Sequence, residues 1–177
     1  MKLFHLSDLH IGKRVNEFSM IEDQKYILKR ILDLAEEEKP DGIILAGDIY
    51  DKQIPSAEAV QVFDEFITRL AGRAIPVFII SGNHDSAERL AFGGRLLNSR
   101  GIYLSPVYDG SVTKIPLKDQ YGTVWIHLLP FIRPSTVRHV FENEADLVTD
   151  VQTAAETVIR HMEIDLKDRN ILVAHKF

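Results

Sequence analysis

Three short, continuous apolar segments constrain the fold of this 177-residue chain more than any other feature. They are residues 3–6, 42–46 and 76–80, each rich in Ile, Leu, Val or Phe. Continuous apolarity is typical of strands covered on both faces, whereas a half-exposed strand alternates. Helical apolar spacing fills the two intervals between them, the second over residues 56–72. This alternating order implies parallel strands with right-handed crossovers, so the sequence predicts an α/β fold.

The second half of the chain has a different pattern. Apolar and polar residues alternate over residues 110–131 around the polar sequence KDQYG, which predicts an antiparallel hairpin. Residues 148–162 carry apolar side chains at helical spacing and predict an amphipathic helix. A last apolar segment, residues 170–174, predicts a strand that ends at His175.

Polar side chains follow each of the predicted core strands. In open α/β sheets the ligand site lies at the carboxyl ends of the strands, so side chains far apart in sequence can meet there. Each of Asp8, Asp48 and Asn83 on its own could equally cap a turn or a helix. Their occurrence together with two histidines favours a metal site. The polar residues at these ends are Ser7, Asp8, His10, Gly47, Asp48, residues 81–85 and His175.

The residue types at these strand ends indicate the chemistry. The chain has no cysteine, so a metal would be held by carboxylate, amide or imidazole groups. Such groups suit hard or borderline divalent ions such as Mn²⁺, Fe²⁺ or Mg²⁺. Two ions bridged by a carboxylate lower the pKa of a bound water and stabilise both oxygens of a phosphate ester displacement. Gly47 and Gly82 precede Asp48 and Asn83, where each strand turns abruptly, and without a Cβ they tolerate unusual backbone angles.

Three short motifs resemble those of the calcineurin-like metallophosphoesterases: DLH at 8–10, GDIYD at 47–51 and GNHD at 82–85. Longer stretches, such as ISGNHDSAERLAFGG, resemble the SbcD family of bacterial nuclease subunits within that superfamily. The resemblance implies a sandwich of two mixed sheets flanked by helices. It also implies metal-dependent DNA hydrolysis, as an exonuclease on duplex ends and as an endonuclease on single strands and hairpins. The implied process is double-strand break repair and recombination, and the implied partner is an SbcC-type ATPase.

The resemblance also implies a role for each motif residue. Asp8 and His10 would bind the first metal, Asp48 would bridge, and Asn83 and His175 would bind the second. The implied ions are Mn²⁺, with Mg²⁺ or Fe²⁺ as alternatives. His84 would be the catalytic histidine. Asp85 would either orient His84 or cap the helix that starts near residue 86.

One departure from the family pattern limits these expectations. The family has a Gly-His-x-His motif downstream of the position of His175, and this sequence does not contain it. We therefore expect residues 1–177 to be the N-terminal portion of a nuclease domain, without capping and ATPase-binding regions and with weakened metal binding. Two alternatives stay open: a catalytically silent, dimer-forming fragment, and a phosphoesterase acting on small phosphodiesters or phosphoproteins.

Charge and targeting signals indicate the environment of the protein. The net charge of −5 argues against a general electrostatic grip on nucleic acid. Lys13 and Arg14 follow His10 and are the best candidates for DNA phosphate contacts, although exposed basic residues are usually only solvated. No signal peptide or long apolar run is visible. Together with the absence of cysteine, these features favour a cytoplasmic protein.

The helix predicted over residues 56–72 is apolar over an arc of roughly 220°, about twice what covering one sheet face requires. We therefore predict a homodimer contact through its far side, joined by residues of the segment after GNHD. The alternative is that another helix of the same chain covers this side. The predicted contact residues are Ala59, Val62, Phe66, Leu90, Phe92 and Leu96.

Overall fold

The computed structural model describes residues 1–175, so Lys176 and Phe177 of the predicted 1–177 domain lie outside it. Nine strands, six α-helices and one 3₁₀ helix make up this part of the chain. In chain order they are β1 Leu3–Leu6, β2 Arg14–Val15, β3 Phe18–Ser19, α1 Ile21–Glu38, β4 Gly42–Ala46, α2 Ala57–Ala71, β5 Val77–Ile80, α3 Ala87–Leu90, α4 Gly94–Asn98, β6 Ile102–Leu104, β7 Thr113–Asp119, β8 Gly122–Leu128, α5 Pro134–Val140, the 3₁₀ helix Glu142–Leu147, α6 Val151–His161 and β9 Arg169–Val173.

The first sheet has the strand order β1-β4-β5-β6, and neighbouring strands are parallel throughout. Helix α1 connects β1 to β4 through the small β2–β3 hairpin, and α2 connects β4 to β5. Every residue of β4 and β5 is buried, as their continuous apolar sequences predict. Parallel pairing brings the carboxyl ends of β1, β4 and β5 to one edge of this sheet.

The second sheet has the order β7-β8-β9 and mixes the two pairing directions. Strands β7 and β8 form the predicted antiparallel hairpin, and β9 pairs parallel to β8. The predicted α/β sandwich of two sheets flanked by helices is therefore confirmed, with the refinement that only the second sheet is mixed among residues 1–175.

Alternate residues of the central strands pack against different layers. Ile43 and Leu45 belong to the core shared with α1 and α2, whereas Ile44 and Ala46 pack with Ile126 and other residues of the second sheet. A third core, which includes Val137 of α5 and Val158 of α6, lies beside the second sheet. The layers are thus helix, sheet, sheet and helix. No helix within residues 1–175 combines the length and apolarity needed to cross a bilayer.

The far side of α2 is covered from within the chain. Ala59, Val62 and Phe66 are 0%, 5% and 2% exposed, and they share the core with Leu28 and Leu32 of α1. The prediction that these three residues form a homodimer contact is therefore wrong, because α1 already buries them. Among the other predicted dimer residues, Leu90 is also buried in this core, while Phe92 and Leu96 are 87% and 79% exposed.

Candidate active site

Four strand ends bring the predicted site residues together. Asp8 and His10 follow β1, Asp48 follows β4, Asn83 and His84 follow β5, and His175 follows β9. Each of the six has a polar atom within 4 Å of a polar atom of another member of the set. Two sheets contribute to this cluster, since β9 belongs to the second one.

Asp48 lies at the centre of the cluster and is only 2% exposed. Its Oδ1 accepts a hydrogen bond of 2.8 Å from the backbone N–H of His84. Its Oδ2 lies 3.7, 4.0 and 3.6 Å from the Nε2 atoms of three histidines, beyond hydrogen-bond distance. These are His10, His84 and His175. A buried carboxylate that faces three imidazoles without bonding to them suits a cation between them.

The ligand-type atoms fall into two groups that share Asp48. One comprises His10, Asp48 and His84, and the other comprises Asp8, Asp48 and His175. Within each group the ligand atoms lie within 4.8 Å of one another. His10 Nε2 also lies 3.8 Å from Asp8 Oδ1, so the geometry allows these two side chains to face the same ion.

The tautomer of His175 supports a metal-binding role for its other nitrogen. Its Nδ1 lies 2.7 Å from the carbonyl oxygen of Ala46 and must carry the proton to form this bond. Nε2 then presents a lone pair, and it lies 3.1 Å from the Asn83 Oδ1 atom, which is itself an acceptor. Two such atoms repel each other unless a cation lies between them. The residues present therefore fit a divalent ion with oxygen and nitrogen ligands.

The backbone of the site is held in an uncommon conformation. Asp8, His10 and Asp48 have φ angles of 56°, 43° and 49°, in the left-handed region that costs a non-glycine residue about 1–3 kcal/mol. Hydrogen bonds between the loops hold these angles. The Asp8 N–H donates to the Gly47 carbonyl at 3.2 Å, and the His10 N–H donates to the Asp48 carbonyl at 2.9 Å. The loops after β1 and β4 thus fix each other.

Both glycines of the motifs lie where a side chain would collide with the site. A Cβ on Gly82 would lie 2.1 Å from Asp48 Oδ1 and 2.3 Å from the Asp48 backbone nitrogen. A Cβ on Gly47, which has φ +88°, would lie 2.6 Å from the ring of His175. The absence of side chains at these two positions lets the loops approach closely enough to bring the ligand atoms together.

Asp85 holds two of the loops together and does not cap a helix. Its carboxylate accepts from the backbone N–H groups of Ile49 at 3.1 Å, Tyr50 at 2.9 Å and Gly82 at 2.8 Å. Burial raises the pKa of this carboxyl, and the three N–H donors oppose that effect. The N-cap of α3 is Ser86, whose hydroxyl accepts from Arg89 N–H. The alternative that Asp85 caps this helix is therefore wrong.

His84 is about half exposed and points its ring at the cluster. Its Nδ1 lies 3.0 Å from the Asp51 carbonyl oxygen, so this nitrogen carries the proton in the neutral ring and Nε2 faces Asp48. The His10 ring meets the His84 ring edge to face, with centroids 4.9 Å apart.

Asp51 is a site residue to which the sequence motifs assigned no role. Its Oδ1 lies 3.7 Å from His10 Nδ1, a buried nitrogen without a hydrogen-bond partner within residues 1–175. Asp51 thus contacts both histidines, one through its carboxylate and one through its carbonyl. Its place in the GDIYD motif was the available signal, but the spacing did not specify which atoms it would contact.

The two basic residues predicted to contact DNA directly follow the loop that carries His10. Lys13 is exposed, and its backbone N–H donates to the His10 carbonyl at 3.0 Å. Arg14 is exposed in β2, and its guanidinium donates to the carbonyl oxygen of Glu17 across the β2–β3 turn. Lys13 is therefore tied directly to the loop that carries His10.

A parallel sheet whose carboxyl edge gathers carboxylates, an amide and imidazoles around one shared aspartate is the arrangement of a metallophosphoesterase. Residues 1–176 match the calcineurin-like phosphoesterase family, and the chain belongs to that family.

A particular relative is SbcD of Staphylococcus epidermidis (strain ATCC 12228 / FDA PCI 1200), one of the subunits of the nuclease SbcCD. The two are 35% identical over 178 residues, covering 99% of this chain and 46% of the relative, so the chain spans about half the length of that protein. Membership of this family indicates hydrolysis of phosphoester bonds. Among solved structures, Yfce, a phosphoesterase from E. coli, matches with 16% identity and a TM-score of 0.36, covering 72% of this chain and 56% of that one; this likeness is too weak to carry an argument.

Proposed function

We propose that this chain provides the metal-binding and catalytic part of a DNA nuclease of the SbcD type, which hydrolyses phosphodiester bonds. The observation that carries the proposal is the position of Asp48, which is buried and shared by two groups of metal-ligand atoms. A shared carboxylate is what a two-metal centre requires, and such centres suit the displacement at phosphorus in a phosphodiester.

The proposed ligands are Asp8, His10, Asp48, Asn83 and His175, around two divalent ions. Mn²⁺ is the proposed metal, with Mg²⁺ and Fe²⁺ as alternatives, because the ligands are oxygens and imidazoles. When bound, such ions activate water and stabilise the negative charge that develops on the phosphate. The protein's contribution is to hold the ligand oxygen and nitrogen atoms in fixed positions. The close approach of the loops at Gly47 and Gly82 and the hydrogen bonds of Asp85 provide this.

His84 is the proposed catalytic residue. The Asp51 carbonyl accepts the Nδ1 proton, which directs Nε2 toward the face of the cluster where substrate would bind. About half of its side chain is exposed, so the ring can reach a bound phosphate. In its doubly protonated, imidazolium form the ring carries a second proton on Nε2, which it can give to the leaving oxygen and so become the neutral ring.

DNA is the proposed substrate, at duplex ends as an exonuclease and at single strands and hairpins as an endonuclease, in double-strand break repair, recombination and replication. The name of the S. epidermidis relative, which marks it as part of the nuclease SbcCD, supports this proposal and the SbcC-type ATPase partner. Lys13 and Arg14 are proposed to meet DNA phosphates beside His10. A cytoplasmic location is proposed, as is a homodimer whose contact would use the exposed Phe92 and Leu96.

Calorimetry with Mn²⁺ and a cleavage assay on the same preparation test the function. We expect Mn²⁺ to bind to the wild type and to His84→Ala, because His84 is proposed to act on the substrate. Cleavage of a DNA duplex should fall at least 100-fold in His84→Ala, the usual contribution of general acid–base catalysis. The matched control is His139→Ala, an exposed histidine of α5, which should cleave like the wild type.

The other outcomes identify the alternatives. Wild type that neither binds Mn²⁺ nor cleaves DNA would contradict the proposal and favour a silent fragment. Wild type that hydrolyses bis-p-nitrophenyl phosphate or a phosphopeptide but not DNA would favour another phosphoesterase activity. Equal cleavage by wild type and His84→Ala would remove His84 from the mechanism.

A further inference from the structure

A pocket opens directly beside the candidate active site. Its volume is about 320 Å³, and its walls include Asn83 and Asp85 on the site side. Residues of the segments after β6 and β8 also line it, among them Val107, Phe131 and Arg133. This volume lies at the lower end of the roughly 300–1,000 Å³ typical of ligand pockets. A group bound there would be next to Asn83 and hence to the reacting phosphate.

The wall that carries Arg133 is anchored to both sheets. The Leu129 N–H donates to the Val173 carbonyl of β9 at 3.0 Å, and the Phe131 N–H donates to the Ser81 carbonyl at 2.8 Å. Ser81 immediately follows β5 and also lines the pocket. The backbone just before Arg133 is therefore fixed relative to the strand end that precedes Asn83, so the arginine side chain starts from a defined point beside the site.

The charges around the pocket leave Arg133 available for a ligand. It is exposed, and it forms no salt bridge with any carboxylate of residues 1–175. It is also the one basic side chain among the described residues that line the pocket. The two acidic lining residues are engaged elsewhere: Asp85 accepts from three backbone N–H groups, and Glu88 accepts from the Ser86 hydroxyl at 2.8 Å.

We infer that this pocket receives the nucleotide adjacent to the scissile phosphate and that Arg133 binds the phosphate of that nucleotide. The inference rests on the proposed function. A nucleic-acid strand carries a phosphate on every nucleotide, so a strand with one phosphate at Asp48 and His84 places another nearby. A guanidinium suits this phosphate because it can donate two parallel hydrogen bonds. The apolar surface of Val107 and Phe131 suits the sugar and base.

The inference assigns Arg133 a role in substrate selection. A strand with several phosphates would use both the metal cluster and the arginine, whereas a small diester such as bis-p-nitrophenyl phosphate has only one phosphate. Arg133 should therefore favour oligonucleotides over small diesters. It acts as a positioning residue at a neighbouring phosphate and has no part in the bond-breaking step.

Binding without metal gives the first test. We would measure the fluorescence anisotropy of a 5′-labelled single-stranded oligo-dT in EDTA for wild type, Arg133→Gln and Arg69→Gln. Arg69 is the matched control, since it is an exposed arginine in the last turn of α2, at the opposite edge of the first sheet. Arg133→Gln should weaken binding about tenfold, the size of one charge-assisted hydrogen bond. It should also lower the salt slope by about 0.7, the loss of one phosphate contact.

Kinetics give the second test. In Arg133→Gln, the ratio of kcat/KM for the oligonucleotide to that for bis-p-nitrophenyl phosphate should fall about tenfold, and in Arg69→Gln it should stay at the wild-type value. If Arg133→Gln matches Arg69→Gln in both binding and this ratio, the inference is overturned and the proposed function stands. If the wild type hydrolyses neither substrate, the proposed function fails, and the anisotropy result alone decides whether the pocket binds a strand.

Discussion

At the scale of single residues, the site depends on positions where an added atom or a lost charge would disturb several groups. Gly82 is the sharpest example, because the space that its Cβ would occupy is taken by the carboxylate and backbone nitrogen of Asp48. Asp85 is another, since one side chain bonds to three backbone N–H groups from two loops. These residues contribute to metal binding through the positions of Asp48, Asn83 and His84.

We predict that Gly82→Ala impairs both stability and metal binding. The new methyl group must displace the Asp48 backbone, so the free energy of unfolding should fall by about 1–3 kcal/mol, the usual cost of overpacking. Mn²⁺ affinity should fall as well, because Asp48 is the shared ligand. Urea denaturation and calorimetry measure the two effects.

The control for this variant is Gly94→Ala. A Cβ on Gly94 would meet only ordinary contacts at 3.8 Å from Leu104, so both properties should stay near those of the wild type. Wild-type Mn²⁺ affinity in Gly82→Ala would show that the close approach of these loops does not matter for the metal site.

At the scale of elements, α2 shows how an amphipathic pattern can be read correctly and its partner assigned wrongly. Its wide apolar arc does require two surfaces to cover it. The sheet covers one side of α2 and α1 covers the other. The part of the apolar arc that the sheet does not cover is therefore explained by helix–helix packing within the chain. The segment after GNHD differs, because Phe92 and Leu96 stay exposed there.

We predict very different effects on stability for two phenylalanines that the apolar pattern had placed in one contact surface. Phe66→Ala should lower the free energy of unfolding by about 3–5 kcal/mol, as expected for a buried phenylalanine. Phe92→Ala should change the monomer's stability by less than about 0.5 kcal/mol, because its side chain is exposed. Urea denaturation at a low protein concentration measures both. Similar losses in the two variants would contradict the assignment of Phe66 to the core.

At the scale of the whole molecule, the two sheets are joined at the edge opposite the candidate active site as well as by their shared core. Arg169 of β9 forms a salt bridge of 2.6 Å with Asp119 at the end of β7, and the amino group of Met1 lies 3.5 Å from the same carboxylate. Asp119 therefore links β7 and β9 of the second sheet to the residues that precede β1 of the first.

We predict that this cluster makes stability depend on acid pH. The Arg169 guanidinium holds the pKa of the Asp119 carboxyl well below its usual range. A lowered pKa means that the contribution is present above the usual aspartate value of about 3.9 and is lost as the pH falls toward the folded-state value. The Arg169→Gln variant should therefore have a lower free energy of unfolding than the wild type at pH 6. Between pH 5 and pH 3 its free energy of unfolding should fall by less than that of the wild type.

Urea denaturation across this pH range measures the effect. Lys118→Gln is a suitable control, because it removes a positive charge from the neighbouring exposed position of β7 without touching Asp119's bonds to Arg169. An unchanged pH slope in Arg169→Gln would show that this salt bridge does not link stability to pH.

The sequence by itself determined the α/β class, the boundaries of β1 and β4, the hairpin and the strand ends from which the candidate site is built. These features depend on apolar runs and short motifs, and each such pattern is formed entirely by residues that are close together in the sequence. The short β6 and α4 were not predicted, because three to five residues carry too little periodicity to distinguish them from loops.

Only the tertiary structure decided which surfaces are covered and which polar groups meet. That α1 buries Phe66, that Asp85 bonds to backbone 35 and 36 positions away, and that Arg133 lines the same pocket as Asn83 all depend on contacts between distant segments. The physical reason is that burial and hydrogen bonding are properties of pairs of surfaces. A residue's own sequence neighbourhood shows what it can bond to, and the packing of the sheets and helices determines what lies within its reach.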